Sequence, residues 1–197
     1  MYKRQEAEGC TLQKNVQSGV LAVDAAEVVV RGCHSTDNGM RGFAAELKAT
    51  LTASDCSASG CKGTGFLVFT GARAVLKKCP AATNGNYGVY AGGEGLRMEA
   101  EGCTLQKNVQ SGVLALDAAE VVVRYFRSTD NGNNGLWAQT KATLTAIQGF
   151  VKGNQGTDCG NSTGGRLEMQ RVEVDGVMTT SALGSKSKWM RRLRGLI

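Results

Sequence analysis

The stretch EAEGCTLQKNVQSGVLAVDAAEVVVR, Glu6–Arg31, recurs as EAEGCTLQKNVQSGVLALDAAEVVVR, Glu99–Arg124, and Val23 becoming Leu116 is the one change in 26 positions. The interval of 93 residues is too long for one structural unit, and a shorter period lies inside it. Gly19, Gly42, Gly65, Gly88, Gly112 and Gly135 each precede an apolar residue, at intervals of 23, 23, 23, 24 and 23. Cys10, Cys33, Cys56, Cys79 and Cys103 keep the same interval. So do Asn15, Asn38, Asn84, Asn108, Asn131 and Asn154, with Cys61 standing once in that series. The long repeat is thus a duplicated cassette of four 23-residue coils, spanning 6–98 and 99–184, with the last coils degenerate.

Within a coil the pattern is that of strands. Val28 and Val30 recur as Leu51 and Ala53, Ala74 and Leu76, Met98 and Ala100, and Val121 and Val123. Two apolar positions spaced by two and repeated in every coil describe a short strand with one face inward. A second strand follows the Gly, with Phe43 and Ala45 inward, then Phe66 and Val68, Val89 and Ala91, Val113 and Ala115, Leu136 and Ala138. A third, shorter strand fits between them, and turns rich in Gly, Asn, Asp and Ser join the segments. Strands that return in register with no helical segment between them stack on their own next copies as parallel ladders. About seven or eight such coils at ~4.8 Å per rung make an all-β rod roughly 38 Å long. Stacking turns the Asn series into a ladder of side-chain amides. The Gly series marks either a left-handed backbone or a place with no room for a side chain.

Composition agrees with a narrow solenoid core: Gly numbers 27, Pro one, and aromatics only 6%. The formal charge of +6 is concentrated in Lys186, Lys188, Arg191, Arg192 and Arg194, so the body to Ser185 is nearly neutral and no nucleic-acid partner is expected. MYKRQEAEG contains no apolar run of a signal peptide, and no segment reaches the ~18 apolar residues of a membrane span. The localisation stays open, with cysteine usage weakly favouring an intracellular setting. A flanking domain or longer chain is expected to cap the first coil. The tail 185–197 reads as a short helix, with Trp189, Leu193, Leu196 and Ile197 on one face and Ser185 as N-cap. The solenoid is then 1–184.

VVVRGCHSTDNGMRGFAA and MEAEGCTLQKNVQSGVLA carry an apolar-x-apolar-x-x-Cys, then Asn, then x-x-x-Gly-apolar-x-Ala pattern. It resembles the right-handed parallel β-helix repeats of the pectin-lyase-like superfamily, over Glu6 to about Gly165. The resemblance implies a right-handed coil and a fold shared by pectate lyases, polygalacturonases, polyuronate epimerases and non-catalytic repeat regions.

The resemblance does not extend to enzymatic motifs. The Asn-Thr-Asp, paired Asp, Gly-His-Gly and Arg-Ile-Lys signatures of polygalacturonase-like chains do not occur. The single histidine, His34, is replaced by Arg127 in the second cassette and reads as a solvated turn residue. Asp37 and Asp130 lie four coils apart, roughly 19 Å, beyond the ~5–9.5 Å at which two carboxylates share one glycosidic bond. The best carboxylate pair is Glu99 with Glu101, about 7 Å apart on one strand face, with Arg124 one coil above. The same trio recurs as Glu6, Glu8 and Arg31, so the simpler reading is stacked opposite charges, Glu8–Arg31 and Glu101–Arg124, on an exposed sheet. The periodic cysteines read as small buried hydrophobes. No Cys-x-x-Cys or His pairing suggests zinc, and GCKGTG and AGGEG lack the Lys-Ser/Thr of a phosphate loop. No metal or cofactor is expected.

The outward positions of the second strand carry the stronger signal. They read Leu21 and Val23, Ala44 and Glu46, Leu67 and Phe69, Tyr90 and Gly92, Leu114 and Leu116, Trp137 and Gln139. Stacked, they form an apolar stripe along the rod, and a contiguous exposed patch of this kind marks an interface. The expectation is a non-catalytic scaffold that binds a protein or a polysaccharide through Leu21, Leu67, Phe69, Tyr90, Leu114, Leu116 and Trp137. The alternative is a polysaccharide lyase or glycoside hydrolase on polyuronides, using Glu99, Glu101 and Arg124.

Overall fold

The computed structural model describes residues 4–183, and the expected parallel β-solenoid of about seven coils is present. The helix expected over the tail lies outside the described residues. The first coil comprises β1 (Arg4–Glu8), β2 (Thr11–Gln13) and β3 (Val20–Ala22). The second and third hold β4 (Glu27–Arg31), β5 (His34–Thr36), β6 (Phe43–Ala45), β7 (Thr50–Ser54), β8 (Ser57–Ser59) and β9 (Phe66–Phe69). Next come β10 (Arg73–Lys77), β11 (Ala81–Ala82), β12 (Val89–Gly92), β13 (Arg97–Glu101), β14 (Thr104–Gln106) and β15 (Val113–Leu116). The remaining strands are β16 (Glu120–Arg124), β17 (Arg127–Thr129), β18 (Leu136–Gln139), β19 (Thr143–Lys152), β20 (Cys159–Ser162), β21 (Arg166–Val174) and β22 (Val177–Leu183).

Every third strand pairs in parallel with its predecessor, which gives the rod three faces. The strand expected between the two apolar ones is β2 and its successors; at two or three residues it leaves little alternation to read. β19 and β21 run through the corner that breaks earlier coils in two, so the first two faces join as one sheet there. β22 turns back antiparallel on β21, ending the parallel stacking of that sheet.

Corners are made by left-handed residues stacked in columns. Asp24 and Ala25 (φ 54° and 58°), Leu47 and Lys48 (53° and 64°), and Asp117 and Ala118 (55° and 60°) form paired examples. Each pair is closed by a three-residue-span hydrogen bond such as Ala26 N–H to Val23 C=O, 3.0 Å, the geometry of a type I′ turn. The 24-residue interval has its cause at one such corner. An extra residue between Gly92 and Leu96 is absorbed by Gly93 and Gly95 at φ 106° and 73°, and the register moves to Arg73↔Arg97.

The Gly series that precedes β3, β6, β9 and their successors answers to space rather than φ. A Cβ at Gly65 would sit 2.8 Å from Gly88 O, 2.9 Å from Ala81 Cβ and 2.9 Å from Asn84 Nδ2. No real Cβ tolerates such approaches, so each rung seats a glycine under the next. Inside, Phe43 and Phe66 stack with centroids 5.1 Å apart and planes 8° from parallel. Phe126, in the Cys series, occupies the space a Cβ of Gly149 would need on the following rung. The replacement of Cys by Gly there compensates for volume. The buried thiols donate to backbone carbonyls two residues back, as Cys56 Sγ does to Ser54 O at 3.2 Å. Burial pushes the Cys103 thiol up to about 11, and the adjoining Cys56 thiol together with burial raises Cys79.

The Asn series is a directed ladder. Asn84 N and Nδ2 both donate to Asn108 Oδ1, at 3.1 and 3.0 Å, and Asn108 does the same to Asn131 at 3.1 and 3.0 Å. Each Nδ2 also reaches a carbonyl on the rung before, as Asn108 does to Ala81 O at 3.1 Å. The last amide, Asn154, donates from N and Nδ2 to Asp158 Oδ1, which replaces the next rung's carbonyl. Asp158 stands in the Gly series, where no further glycine is stacked above it. Burial, and then a hydrogen bond that the protonated carboxyl donates to Asp175 in the β21–β22 turn, raise its pKa above the ordinary value of 3.8.

The duplicated cassette supplies an internal control on stacking. Leu105, Val113 and Cys103 are buried under β10, β11 and β12, whereas Leu12, Val20 and Cys10 on the first coil are half-buried. Leu105→Ala is expected to cost ~2–5 kcal/mol and Leu12→Ala distinctly less, although their sequence neighbours are identical; urea unfolding of the two variants reads the difference. A second expectation follows from Asp158. A carboxyl whose folded pKa is raised contributes stability that is present below its unfolded value and lost as pH rises through the folded one. Hydrogen exchange of β21–β22 should therefore be slower at the low end of that window than at neutral pH, after correction for intrinsic rates. Asp175→Asn, which removes the second carboxyl, should flatten the dependence.

Candidate functional site: an apolar stripe and a charged face

β3, β6, β9, β12, β15, β18 and β20 form one parallel sheet whose outer surface is the candidate stripe. Register aligns Leu21, Ala44, Leu67, Tyr90, Leu114, Trp137 and Gly160 in one outward column. The alternation that sends Phe43, Val89 and Leu136 inward sends these residues outward. A second column holds Phe69, Gly92 and Leu116 beside them.

The stripe is uneven in exposure. Leu21 and Phe69 are 44% and 38% exposed, while Leu67, Tyr90, Leu116 and Trp137 are half-buried. Leu114 is only 8% exposed, wedged between the Tyr90 and Trp137 rungs, so it supports its neighbours more than it presents itself. Ala44 is fully buried, on the strand between Arg41 and Glu46, which form an ion pair. The centre of the stripe is aromatic. Tyr90 lies 6.3 Å from Phe69 and 5.5 Å from Tyr87, ring centre to ring centre. Burial raises the Tyr90 hydroxyl's pKa, reinforced by the negative charge of Asp117. Tyr87, from the turn before β12, was not part of the sequence-based set; its period matches Ser18, Arg41 and Thr64, none of which signals an aromatic.

The carboxylate trio lies on a different face, the one built by β1, β4, β7, β10, β13 and β16. Register does set Glu101 beside Arg124 and Glu8 beside Arg31. The guanidinium, however, reaches diagonally: Arg124 Nη1 is 3.2 Å from Glu99 Oε2, and Arg31 Nη1 is 3.5 Å from Glu6 Oε2. Diagonal pairing suits a long side chain on a twisted sheet, where the direct neighbour is not the nearest in reach. Arg97–Glu120 at 3.1 Å continues the same exposed lattice of charges. His34 lies on β5 rather than in a turn, exposed, with Nδ1 2.8 Å from Ser57 Oγ. Among the described residues no group of three or more His, Cys, Asp or Glu side chains is placed to hold a metal ion, and no helix is long and apolar enough to cross a membrane.

Two solved structures share the fold. A periplasmic alginate epimerase, AlgG, superposes with a TM-score of 0.59 at 12% identity, covering 83% of this chain and 50% of that one. Pectate lyase Pel9A superposes with a TM-score of 0.54 at 14% identity, covering 79% of this chain and 54% of that one. The chain thus spans about half the length of either enzyme. No curated protein sequence matches it. The family model described as a right-handed β-helix region matches residues 2–168, most of the chain, and the protein belongs to that family.

Proposed function

We propose that this chain is a non-catalytic β-helical scaffold that binds a protein or glycan along the stripe from Leu21 to Trp137. The observation that carries the reading is a sheet face whose outward column, on four of its rungs, is Leu67, Tyr90, Leu114 and Trp137. An outward strand face in water is ordinarily polar, and a contiguous apolar one is the signature of a surface that something covers.

A second reading rests on the shared fold with a lyase and an epimerase, a polysaccharide lyase or hydrolase using Glu99, Glu101 and Arg124. The argument against it is chemical. Arg124 is held by Glu99, the same pairing repeats at Glu6 and Arg31, and both lie on an exposed face where water is not excluded. Fold likeness alone assigns no chemistry.

Turnover separates the two readings. The purified chain, incubated with polyuronides and neutral glycans with and without Ca²⁺, is expected to generate no new chain ends. New ends that vanish in the Glu99→Gln/Glu101→Gln double variant would establish the enzyme instead. As an exposed surface pair, Arg124–Glu99 is further expected to contribute no more than ~1 kcal/mol, so Arg124→Gln should leave the denaturation midpoint almost unchanged and insensitive to added salt.

A further inference from the structure

We infer that the stripe's ligand is an extended neutral glycan, stacked on Tyr90 and Trp137. The inference rests on the binding role just proposed for this face. Both rings are seated on glycines. A Cβ built on Gly160 would collide with Trp137 Cζ3 and lie 2.9 Å from Cε3 and 3.2 Å from Cη2. The outer edge of the indole's six-membered ring thus extends from its own rung into the space left by the missing side chain on the next. At Gly92 the same test meets Tyr90 Cε1 at 2.9 Å and Oη at 3.2 Å. Phe69 and Tyr87 brace Tyr90 from either side.

A ring fixed in this way is a platform ordered before any ligand arrives, so little conformational entropy is lost on stacking. The apolar C–H face of a pyranose is the natural complement of an aromatic face, while its hydroxyl edge seeks hydrogen bonds. Gln139 and Ser162 on the second column, with the hydroxyls of Tyr87 and Tyr90, supply donors and acceptors beside the rings. The two residues stand two rungs apart along the backbone, ~9.6 Å, with Leu114 on the rung between. An extended glycan laid along the rod would run past both rings.

Charge selects neutral over anionic sugars. Among the described residues, the two outward columns contain one charged side chain, Glu46, and Arg41 holds it. Asp117 is near enough to Tyr90 to push its hydroxyl pKa upward. Lys48 and Lys141 stand at the left-handed corner, outside the columns. A polyuronide laid along the two columns would find no free cation on them to meet its carboxylates.

Titration of the full chain with soluble cello- and xylo-oligosaccharides, and in parallel with oligogalacturonate, tests this. The expected result is saturable binding of a neutral series and none of oligogalacturonate. Trp137→Ala and Tyr90→Ala should each weaken it by about tenfold, the scale of one lost stacking contact, and Tyr90→Phe should retain most of it. Gly160→Ala should weaken it too, since it tilts the indole without removing it; thermal melts establish that each variant is folded. Preferential binding of oligogalacturonate, lost in the same variants, overturns the neutral-glycan inference and leaves the stripe as the binding face. Neutral binding that no stripe variant alters overturns both. Binding of neither class overturns this inference alone and assigns the stripe to a protein partner.

Discussion

The structure depends on one constraint, that each coil is the hydrogen-bonding partner of the next in strict register. The amide ladder shows the constraint at its most demanding. An asparagine in a coil relies for its buried amide on the rungs before and after it, as Asn108 does on Ala81 and Asn131. Leaving a buried polar group unpaired costs ~1–3 kcal/mol, so the column is held to one residue type. Where Cys61 interrupts it, Asn38 Nδ2 keeps its bonds to Ser35 Oγ at 2.8 Å and Leu12 O at 2.9 Å, while Cys61 N still donates to Asn84. The backbone half of the ladder survives the loss of one side chain. At the far end Asp158 supplies an acceptor where no further amide follows, and the aligned amides present their positive ends to it.

The same constraint converts local size changes into changes on the neighbouring rung. Phe126 in a column of cysteines is accommodated by Gly149 one coil later, and Trp137 on the outside is accommodated by Gly160. These pairs explain why the later coils look degenerate in sequence while their strands keep register: the departures from the repeat are compensations between stacked positions. Solenoids are stabilised by nearest-neighbour interfaces, so such compensation has to occur within one rung.

The period, the inward columns and the outward stripe were legible because each is a one-dimensional regularity that stacking preserves. What the sequence left open was two-dimensional. Whether the Gly column answered to φ or to crowding depends on the carbonyl of the rung above, which no single coil contains. The partner of Arg124 is diagonal because strand twist and side-chain length decide it, and register alone names Glu101. Asp158 reads as a lapse in the repeat until its carboxylate is seen on Asn154. The seating of Tyr90 and Trp137 on glycines depends on side-chain direction, to which the apolar pattern is blind. The half-burial of Leu12 against the full burial of Leu105 does not show in the surrounding sequences, which are the same; only Leu12's place on the first coil distinguishes it.

Function in such a molecule has to be sought where stacking leaves freedom. Inward positions are bound by core volume, the Asn and Gly columns by hydrogen bonds and close approach, and the corners by left-handed backbone. The outward columns are the least bound, although a side chain as large as Trp137 still requires a glycine, Gly160, on the next rung. The near-identical stretch illustrates this, since the one difference between its two occurrences, Val23 against Leu116, falls on the outward stripe. Chemistry built from residues common to both copies, as Glu99 and Arg124 are, would have to operate twice on one rod. Tyr90 and Trp137 lie outside the near-identical stretches, and the position equivalent to Trp137 in the first copy is Ala44, which is buried. Their pairing is therefore unique along the rod, and a site with a single location needs features of that kind.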